Sequence, residues 1–374
     1  MLGDGGPLIY GEPMQTPVLP VLPAHGTRPR RLLLAVVGLV GCLPPSPPPW
    51  VVAYPITWGI STQVVAADPV AHQVLDVPGR TRSEIVPGDT LEWRWHGAGP
   101  QGTLLRPPIW VWWGDGLFLS LPTQGAALPA CPQPILLSTP LCRLGEGERV
   151  RMTLGQPEAV SDGPDVSVVA IASDGDLVEP ETCLQRALSE RNADLRGCLI
   201  AFRKVQLGPS WFLWTYPPHK FAPSIPLDLL PPEFFDEPAN FNPALAEIHV
   251  EHGAAAPGGD LVVDGETIVV RPGEPITVTL RLDDDAAQTY FVPGPKAPDG
   301  HYPGATLLEH VEVDVRLDAE VDDYLATDAN LEHRWTAPDF PEPLTLYIRV
   351  HDERLSFAFA TLRFVSVPVA LHLP

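Results

Sequence analysis

The sequence has little positive charge and no long apolar run. Its 374 residues include 24 lysines and arginines but 46 aspartates and glutamates, so the net charge is −22 at pH 7. Nucleic-acid binding needs a positive surface, and this charge argues against such a partner. The apolar run at residues 32–41 is short, whereas a membrane-spanning helix needs about 20 residues. We therefore predict neither nucleic-acid binding nor a transmembrane helix.

Signatures of common enzyme classes are missing as well. The sequence has no G-x-S-x-G motif, no Walker A loop and no G-x-G-x-x-G after a predicted strand. Residues 249–252 read HVEH, which is not the H-E-x-x-H zinc motif, and on a strand the two histidines face opposite sides. We predict no catalysis; a hydrolase with catalytic residues scattered along the chain stays an alternative.

Proline, by contrast, is abundant, with 47 residues. Proline is poorly tolerated inside helices and central strands. Hydrophobic residues make up 45% of the chain, which is enough for sizeable cores. The composition therefore predicts short strands joined by turns and extended loops, and the length suggests two domains.

A basic cluster, an apolar run and a cysteine follow one another in residues 28–42, which read RPRRLLLAVVGLVGC. This is the order of a secretory signal peptide. The last four residues, LVGC, resemble the lipobox of bacterial lipoproteins. In that family the signal is cleaved before the cysteine, which is then acylated. The resemblance implies that residues 1–41 are a signal peptide with a preamble and that Cys42 is the lipidation site.

The lipobox resemblance also implies a location. Acyl chains on Cys42 would anchor the chain to a membrane. In this family an aspartate after the cysteine favours retention in the inner membrane. Leu43 stands there instead, which favours the bacterial outer membrane, on its periplasmic face or the cell surface. The prolines in residues 42–50 predict an extended tether of about 3.1 Å per residue. We expect this tether to hold the first domain away from the lipid surface.

Four further cysteines, Cys131, Cys142, Cys183 and Cys198, are an even number in an exported chain, which favours disulfides. Three pairings are possible. We favour Cys131–Cys142 and Cys183–Cys198, because both pairs bracket loop-like segments; each would contribute about 3 kcal/mol. No C-x2-C spacing occurs, which argues against zinc.

Two segments, PGDTLEWRW at 87–95 and PGEPITVTLRL at 272–282, begin with Pro-Gly-acidic and continue with alternating apolar residues. Period two with a polar outer face is typical of a half-buried antiparallel strand. One turn-and-strand unit in both halves suggests two related sandwich domains. Further strands are predicted at 72–77 and within 261–270, where Asp264-Gly265 is a hairpin signal.

The end of the chain resembles immunoglobulin-like and PKD-like bacterial domains. The resemblance is carried by Trp335, Pro338, Val350, Asp352 and the valines at 365 and 367. It implies an all-β fold of two immunoglobulin-like antiparallel β-sandwich domains. The predicted organisation is a first domain at 51–207 with a helical insertion at 179–197, a linker without regular core elements at 208–245, and a second domain at 246–374.

Two groups of side chains are candidate binding sites. Trp93 and Trp95 share one strand face and Trp110 and Trp112 share another, so they form either a sandwich core or an aromatic platform for a sugar or a partner. Asp283, Asp284 and Asp285 form an oxygen-rich loop that would suit calcium, the one cofactor considered; a solvated loop is the alternative.

These observations together predict a lipid-anchored cell-envelope protein that acts as a structural or adhesive binding module. Its partners would be the membrane, through the lipid, and an envelope protein or a glycan. The alternatives are a carbohydrate-binding surface protein that uses exposed tryptophan faces, and an unrecognised hydrolase.

Overall fold

Alternating apolar residues form strands along most of the chain, as the sequence predicts. The computed structural model describes residues 48–101, 103–114, 127–156, 160–161, 165–189, 194–216, 221–223, 225–253, 259–327, 331–339, 342–354 and 356–367. The part of the chain from Pro47 onward forms one compact unit. The predicted division into domains at 51–207 and 246–374 stays a prediction.

Two sheets form the first half. The elements are β1 (Ile56–Ala66), α1 (Pro69–Val74), β2 (Thr90–Ala98), β3 (Leu105–Gly114), β4 (Cys142–Glu146), β5 (Arg149–Thr153), β6 (Val160–Ser161), β7 (Asp165–Asp174), α2 (Pro180–Ser189), β8 (Cys198–Gln206), α3 (Ser210–Thr215) and β9 (Phe221–Ala222). The strand orders are β1-β2-β5 and β4-β3-β7-β8, with β6 and β9 as a separate pair. Apolar side chains of both sheets share one core.

Helix α2 lies within the predicted helical insertion at 179–197 and covers the outer face of the four-stranded sheet. Its Cys183 and Leu184 pack against Ile109 and Val111 of β3. The disulfide Cys183–Cys198 ties α2 to the start of β8. The second disulfide, Cys131–Cys142, joins a loop to the start of β4. Both pairings are those that the sequence analysis favours.

Two larger sheets and a hairpin form the second half. Two 3-10 helices, Leu227–Leu229 and Pro232–Asp236, precede β10 (Leu245–His252), β11 (Asp260–Val262), β12 (Thr267–Val270), β13 (Pro275–Leu282), β14 (Thr289–Pro293), β15 (Gly304–Leu308), β16 (Val311–Leu317), β17 (Leu325–Ala326), β18 (Glu332–Thr336), β19 (Leu344–Asp352) and β20 (Phe357–Ser366). The strand orders are β11-β10-β13-β18-β17 and β12-β20-β19-β16, and β14 pairs with β15.

The two halves use their strands in the same order. In the first half, β1, β2 and β5 form one sheet, and β3, β7 and β8 belong to the other. In the second half, β10, β13 and β18 correspond to the first set, and β16, β19 and β20 to the second. This division of strands between two facing sheets is that of the immunoglobulin-like sandwich. We call the two halves the first and second sandwich.

The repeated Pro-Gly-acidic motif is a turn that leads into the second strand of each sandwich. Gly88 and Gly273 adopt φ values of 101° and 76°, and a proline before such a glycine is typical of a type II turn. The acidic residue that follows closes the turn: Asp89 accepts a hydrogen bond from the Val86 amide at 2.8 Å. Glu274 accepts one from the amide three residues before it in the same way, at 2.7 Å. The repeat therefore encodes a capped turn.

The end of the predicted tether lies against the second sandwich. The Leu317 amide of β16 donates to the Trp50 carbonyl at 2.9 Å, and the Val52 amide donates back to the Leu317 carbonyl at 2.8 Å. Trp50 also stacks on Tyr324, with ring centroids 4.3 Å apart. Residues 50–52 are thus docked on β16, and Trp50 is the last residue of the predicted tether. Residues 42–47 lie outside the described residues.

Three sequence predictions are wrong. Residues 72–77 are not a strand, because Asp68 caps α1 through the Val70 amide at 2.9 Å. The Asp264-Gly265 turn is not a hairpin: β11 pairs with β10, whereas β12 pairs in parallel with β20 of the other sheet. The connection at 208–245 does contain a regular element, because α3 buries Phe212 in the first core.

Candidate functional site

The outer faces of the two sandwiches meet at Trp58 of β1. Trp58 is 6% exposed and packs against Tyr347 and Phe359 of the second sandwich. Its ring centroid lies 5.6 Å from that of Phe359 in an edge-on arrangement, a geometry that aromatic pairs favour. The contact joins a strand near the start of the chain to the last two strands, so the sandwiches cannot separate without exposing an indole.

Arginines of the second sandwich complete the Trp58 contact. The guanidinium carbons of Arg316 and Arg349 lie 5.3 and 5.6 Å from the indole centroid, within cation–π range. Arg349 also donates to the Trp58 carbonyl at 3.0 Å and forms an ion pair with Asp314. One arginine thus binds the side chain and the backbone of the same tryptophan.

Replacing Arg349 with methionine is expected to lower the free energy of unfolding by about 1–2 kcal/mol. The variant keeps an apolar stem but loses the bond to Trp58 and the ion pair with Asp314. Urea denaturation measures the change. Arg334→Met, which removes an exposed pair with Glu332, is the matched control and should cost less than about 1 kcal/mol. Equal losses for the two variants would contradict the role of Arg349.

A buried polar cluster forms the second part of the contact, where the connection at 208–245 meets both sandwiches. Asn240 donates to the Ser356 hydroxyl at 2.8 Å, and Ser356 also hydrogen bonds with Ser83. The backbone amide of Asn240 donates to the Glu84 carboxylate at 3.0 Å. Residues far apart in sequence therefore share one network, and such networks fix a single arrangement of the parts that they join.

Carboxyl groups near this cluster have raised pKa values. Burial, followed by the nearby Glu84, raises the pKa of Glu237 to about 7. Burial and Glu309 raise the pKa of Asp352 to about 6. Burial also raises the pKa of Glu84 itself, against the opposing charge of Arg354. Several acids thus crowd one poorly hydrated junction, and we expect the stability of this contact to depend on pH.

A groove of about 520 Å³ opens beside Trp58, between the two sandwiches. Its first wall is the outer face of β1, β2 and the start of β5, and its second wall comes from β10, the end of β11 and β20. This volume lies in the range of small-molecule sites, which cover about 300–1,000 Å³ and often lie between domains. We take this interface groove as the candidate functional site.

A serine and a histidine meet inside the interface groove. His96 Nε2 lies 2.8 Å from the Ser61 hydroxyl, and the imidazole packs 4.2 Å from the Phe359 ring centroid. Burial, followed by the positive charges of Arg94 and Arg149, lowers the pKa of His96 to about 3. A base with so low a pKa accepts a proton poorly at pH 7. The pair therefore suits hydrogen bonding to a ligand better than activation of a nucleophile.

Arginines dominate the first wall of the groove. Arg94 of β2 lies directly opposite Arg149 of β5, and Arg151 lies opposite Glu92. Glu92 is 5% exposed and lies 2.7 Å from Arg151 and 3.6 Å from Arg149. Two guanidinium groups thus share the Glu92 carboxylate, and Arg94 adds a third positive charge to the same strand face.

The structure places the sequence-predicted site residues elsewhere. Trp93, Trp95, Trp110 and Trp112 are buried in the first core, so the exposed tryptophan platform is wrong and the core alternative holds. The indole N–H groups of Trp95, Trp110 and Trp112 donate hydrogen bonds. Among the described residues, that of Trp93 has no acceptor. Gly97 permits this packing, because a Cβ there would lie 2.1 Å from the Trp95 ring.

The sequence analysis gives two further candidate sites, a calcium site at residues 283–285 and a lipidation site at Cys42. Asp285 forms an ion pair with Arg80, and within the described ranges no three His, Cys, Asp or Glu side chains form a metal-binding group. The structure therefore does not support calcium at Asp283, Asp284 and Asp285. Cys42 lies outside the described residues.

The interface groove was missed by the sequence analysis. The alternation of residues 87–95 did place Glu92 and Arg94 on an outer face. Nothing in the sequence indicated that Arg149 lies beside Arg94, or that a second sandwich covers part of this face.

No family model matches the chain, and no curated protein sequence matches it. Among solved structures, the titin domains Z1Z2 in complex with telethonin share 11% identity, with 84% of this chain and 98% of that chain covered and a TM-score of 0.17. The fibronectin(III)-like modules of Clostridium thermocellum CbhA share 8% identity over 80% and 97%, with a TM-score of 0.18. Because these TM-scores are low, the immunoglobulin-like fold is assigned from the chain's own strand order.

Proposed function

We propose that the chain is an exported, lipid-anchored binding module of the bacterial cell envelope, without catalytic activity. The observation that carries the proposal is the fixed contact between the sandwiches at Trp58, which leaves the interface groove open beside it. A module of this kind presents one defined surface, because its two halves do not move independently. The partner would be another component of the envelope.

Several features support the export part of the proposal. Two disulfides are typical of proteins that fold in oxidising compartments. The LVGC sequence before residue 43 supplies the acylation signal. Among the described residues, no helix has the length and apolar character needed to cross a membrane. We assign the protein to the outer membrane because Leu43, and not aspartate, follows Cys42.

The weak basicity of His96 supports a binding role over hydrolysis. The Ser61–His96 pair is the arrangement in the groove that comes closest to a catalytic one. A hydrolase would need a histidine that takes the serine proton at neutral pH and a group that orients it. Here the pKa of His96 is lowered to about 3 by burial, and no carboxylate hydrogen bonds to its ring within the described residues.

Metabolic labelling tests the anchor. Cells that express the full chain are labelled with radioactive palmitate, and the wild type is compared with Cys42→Ala. We expect the label to disappear in Cys42→Ala and to persist in Ser46→Ala, a matched change four residues away. Fractionation of the envelope should place the labelled wild type in the outer membrane. Equal labelling of wild type and Cys42→Ala would overturn the anchor.

A further inference from the structure

The first wall of the interface groove holds more positive charge than its neighbours neutralise. Glu92 already binds Arg151 and Gln63, at 2.7 and 3.2 Å. Arg149 lies 3.6 Å from the same carboxylate and is 55% exposed. Within the described ranges, Arg94 has no ion pair. Like charges directly opposite on paired strands are destabilising, so the Arg94–Arg149 pair favours an anion between them.

The surrounding charge makes this pair unusual. The chain as a whole has a net charge of −22, so a cluster of arginines with one carboxylate stands apart from the rest of the molecule. Arg94 and Arg149 also act on His96, whose pKa they help to lower.

The second wall has the opposite character. Its carboxylates are Glu247 and Asp264. Glu247 lies 3.0 Å from His249 and 3.5 Å from Arg281, and Asp264 accepts from the Thr361 amide at 2.7 Å. Carboxylate oxygens can accept several hydrogen bonds, so both can still bind hydroxyl groups. A ligand that fits both walls carries one anionic group toward the arginines and hydroxyl donors toward the acids.

We propose that the interface groove binds an acidic sugar, a saccharide with a carboxylate such as a uronic acid, and that the carboxylate lies between Arg94 and Arg149. The proposal rests on the binding function proposed above and names its ligand class. Arginine matches a carboxylate with two parallel hydrogen bonds. The sugar hydroxyls face Ser61, Glu247 and Asp264, all of which line the groove.

The two walls disfavour other anions. Sulfate presents further negative oxygens to Glu247 and Asp264 without a donor, and phosphate presents such oxygens with only one or two hydroxyl donors. An acidic peptide offers carboxylates on flexible stems and backbone amides, but few hydroxyls. A neutral sugar leaves the Arg94–Arg149 pair without a counter-charge. The acidic sugar satisfies both sides at once.

Calorimetric titration of the purified full chain tests the proposal. The probes are short oligomers of galacturonate, guluronate and glucuronate, with a neutral galacto-oligosaccharide, polyglutamate and inorganic phosphate as comparisons. We expect at least one uronate oligomer to bind, and Arg94→Gln and Arg149→Gln each to weaken that binding about tenfold to a hundredfold. Arg196→Gln, an exposed arginine paired with Asp194, should leave the affinity unchanged.

Each other outcome overturns the proposal. Failure of every uronate to bind, or equal binding by the neutral sugar, would rule out an acidic sugar as the ligand of the groove. Equal or tighter binding of polyglutamate or phosphate would assign the groove to another class of anion. An unchanged affinity in both arginine variants, with thermal midpoints showing that they fold, would place any uronate site elsewhere. Palmitate labelling of Cys42 is independent of these results, so the anchor can stand when the sugar fails.

Discussion

Replacing Asp89 with alanine is expected to lower the free energy of unfolding by about 3–5 kcal/mol. The Asp89 carboxylate is fully buried and accepts two hydrogen bonds from Arg82, at 2.8 and 3.1 Å. It also accepts from the amides of Asp68 and Val86, at 2.9 and 2.8 Å. Alanine leaves the guanidinium, itself 1% exposed, and two amides without this partner. Urea denaturation measures the loss.

A double variant separates the ion pair from simple loss of packing. Arg82→Met together with Asp89→Ala removes the stranded charge, and it should recover part of the stability lost in Asp89→Ala alone. A single variant that loses less than about 1 kcal/mol would contradict this account. So would a double variant whose loss equals the sum of the two single losses.

Replacing Glu237 with glutamine is expected to stabilise the protein at pH 8 by up to about 3 kcal/mol. Burial and Glu84 raise the pKa of Glu237 from 4.5 to about 7 in the folded protein. A raised carboxyl pKa means that the folded state binds the proton more tightly than the unfolded state. The stability that the protonated Glu237 carboxyl contributes is fully present below about pH 4.5 and is lost as the pH rises to about 7. Glutamine stays neutral and avoids this loss.

Unfolding measured in urea from pH 4 to 8 tests the Glu237 prediction. The wild type should lose stability across the window from 4.5 to 7, with Asp352 adding a loss of the same sign as the pH rises to about 6. Glu237→Gln should show a smaller slope. Glu233→Gln, a change at an exposed position of the same connection, should follow the wild type. If Glu237→Gln kept the full wild-type slope, Glu237 would not be the titrating group.

Local patterns predicted the strands because the alternation of buried and exposed residues has a direct physical cause. β13 and β19 bury every second side chain. The same reasoning failed at residues 72–77, because hydrogen bonds from the Val70 and Ala71 amides to the Asp68 side chain stabilise a helix there. It also failed at Asp264-Gly265, since a turn residue does not specify whether the chain returns to the same sheet or crosses to the facing one.

The groove depended on relations that one sequence does not contain. Arg94 and Arg149 are brought together by strand pairing, and the second wall by the packing of Trp58 on Phe359. The tryptophans show the opposite case. The sequence shows which tryptophans share a strand face, but whether that face is buried depends on the opposite sheet. Here the Trp93–Trp95 face and the Trp110–Trp112 face are both buried in one core.

The docking of residues 50–52 on β16 determines how mechanical force would enter the molecule. A pull on the chain from the side of residue 48 is first borne by the hydrogen bonds with Leu317 and by the Trp50–Tyr324 stack. The load therefore enters the second sandwich at β16, although the first sandwich comes next in sequence. As long as those contacts hold, β1 and the interface groove are shielded from tension.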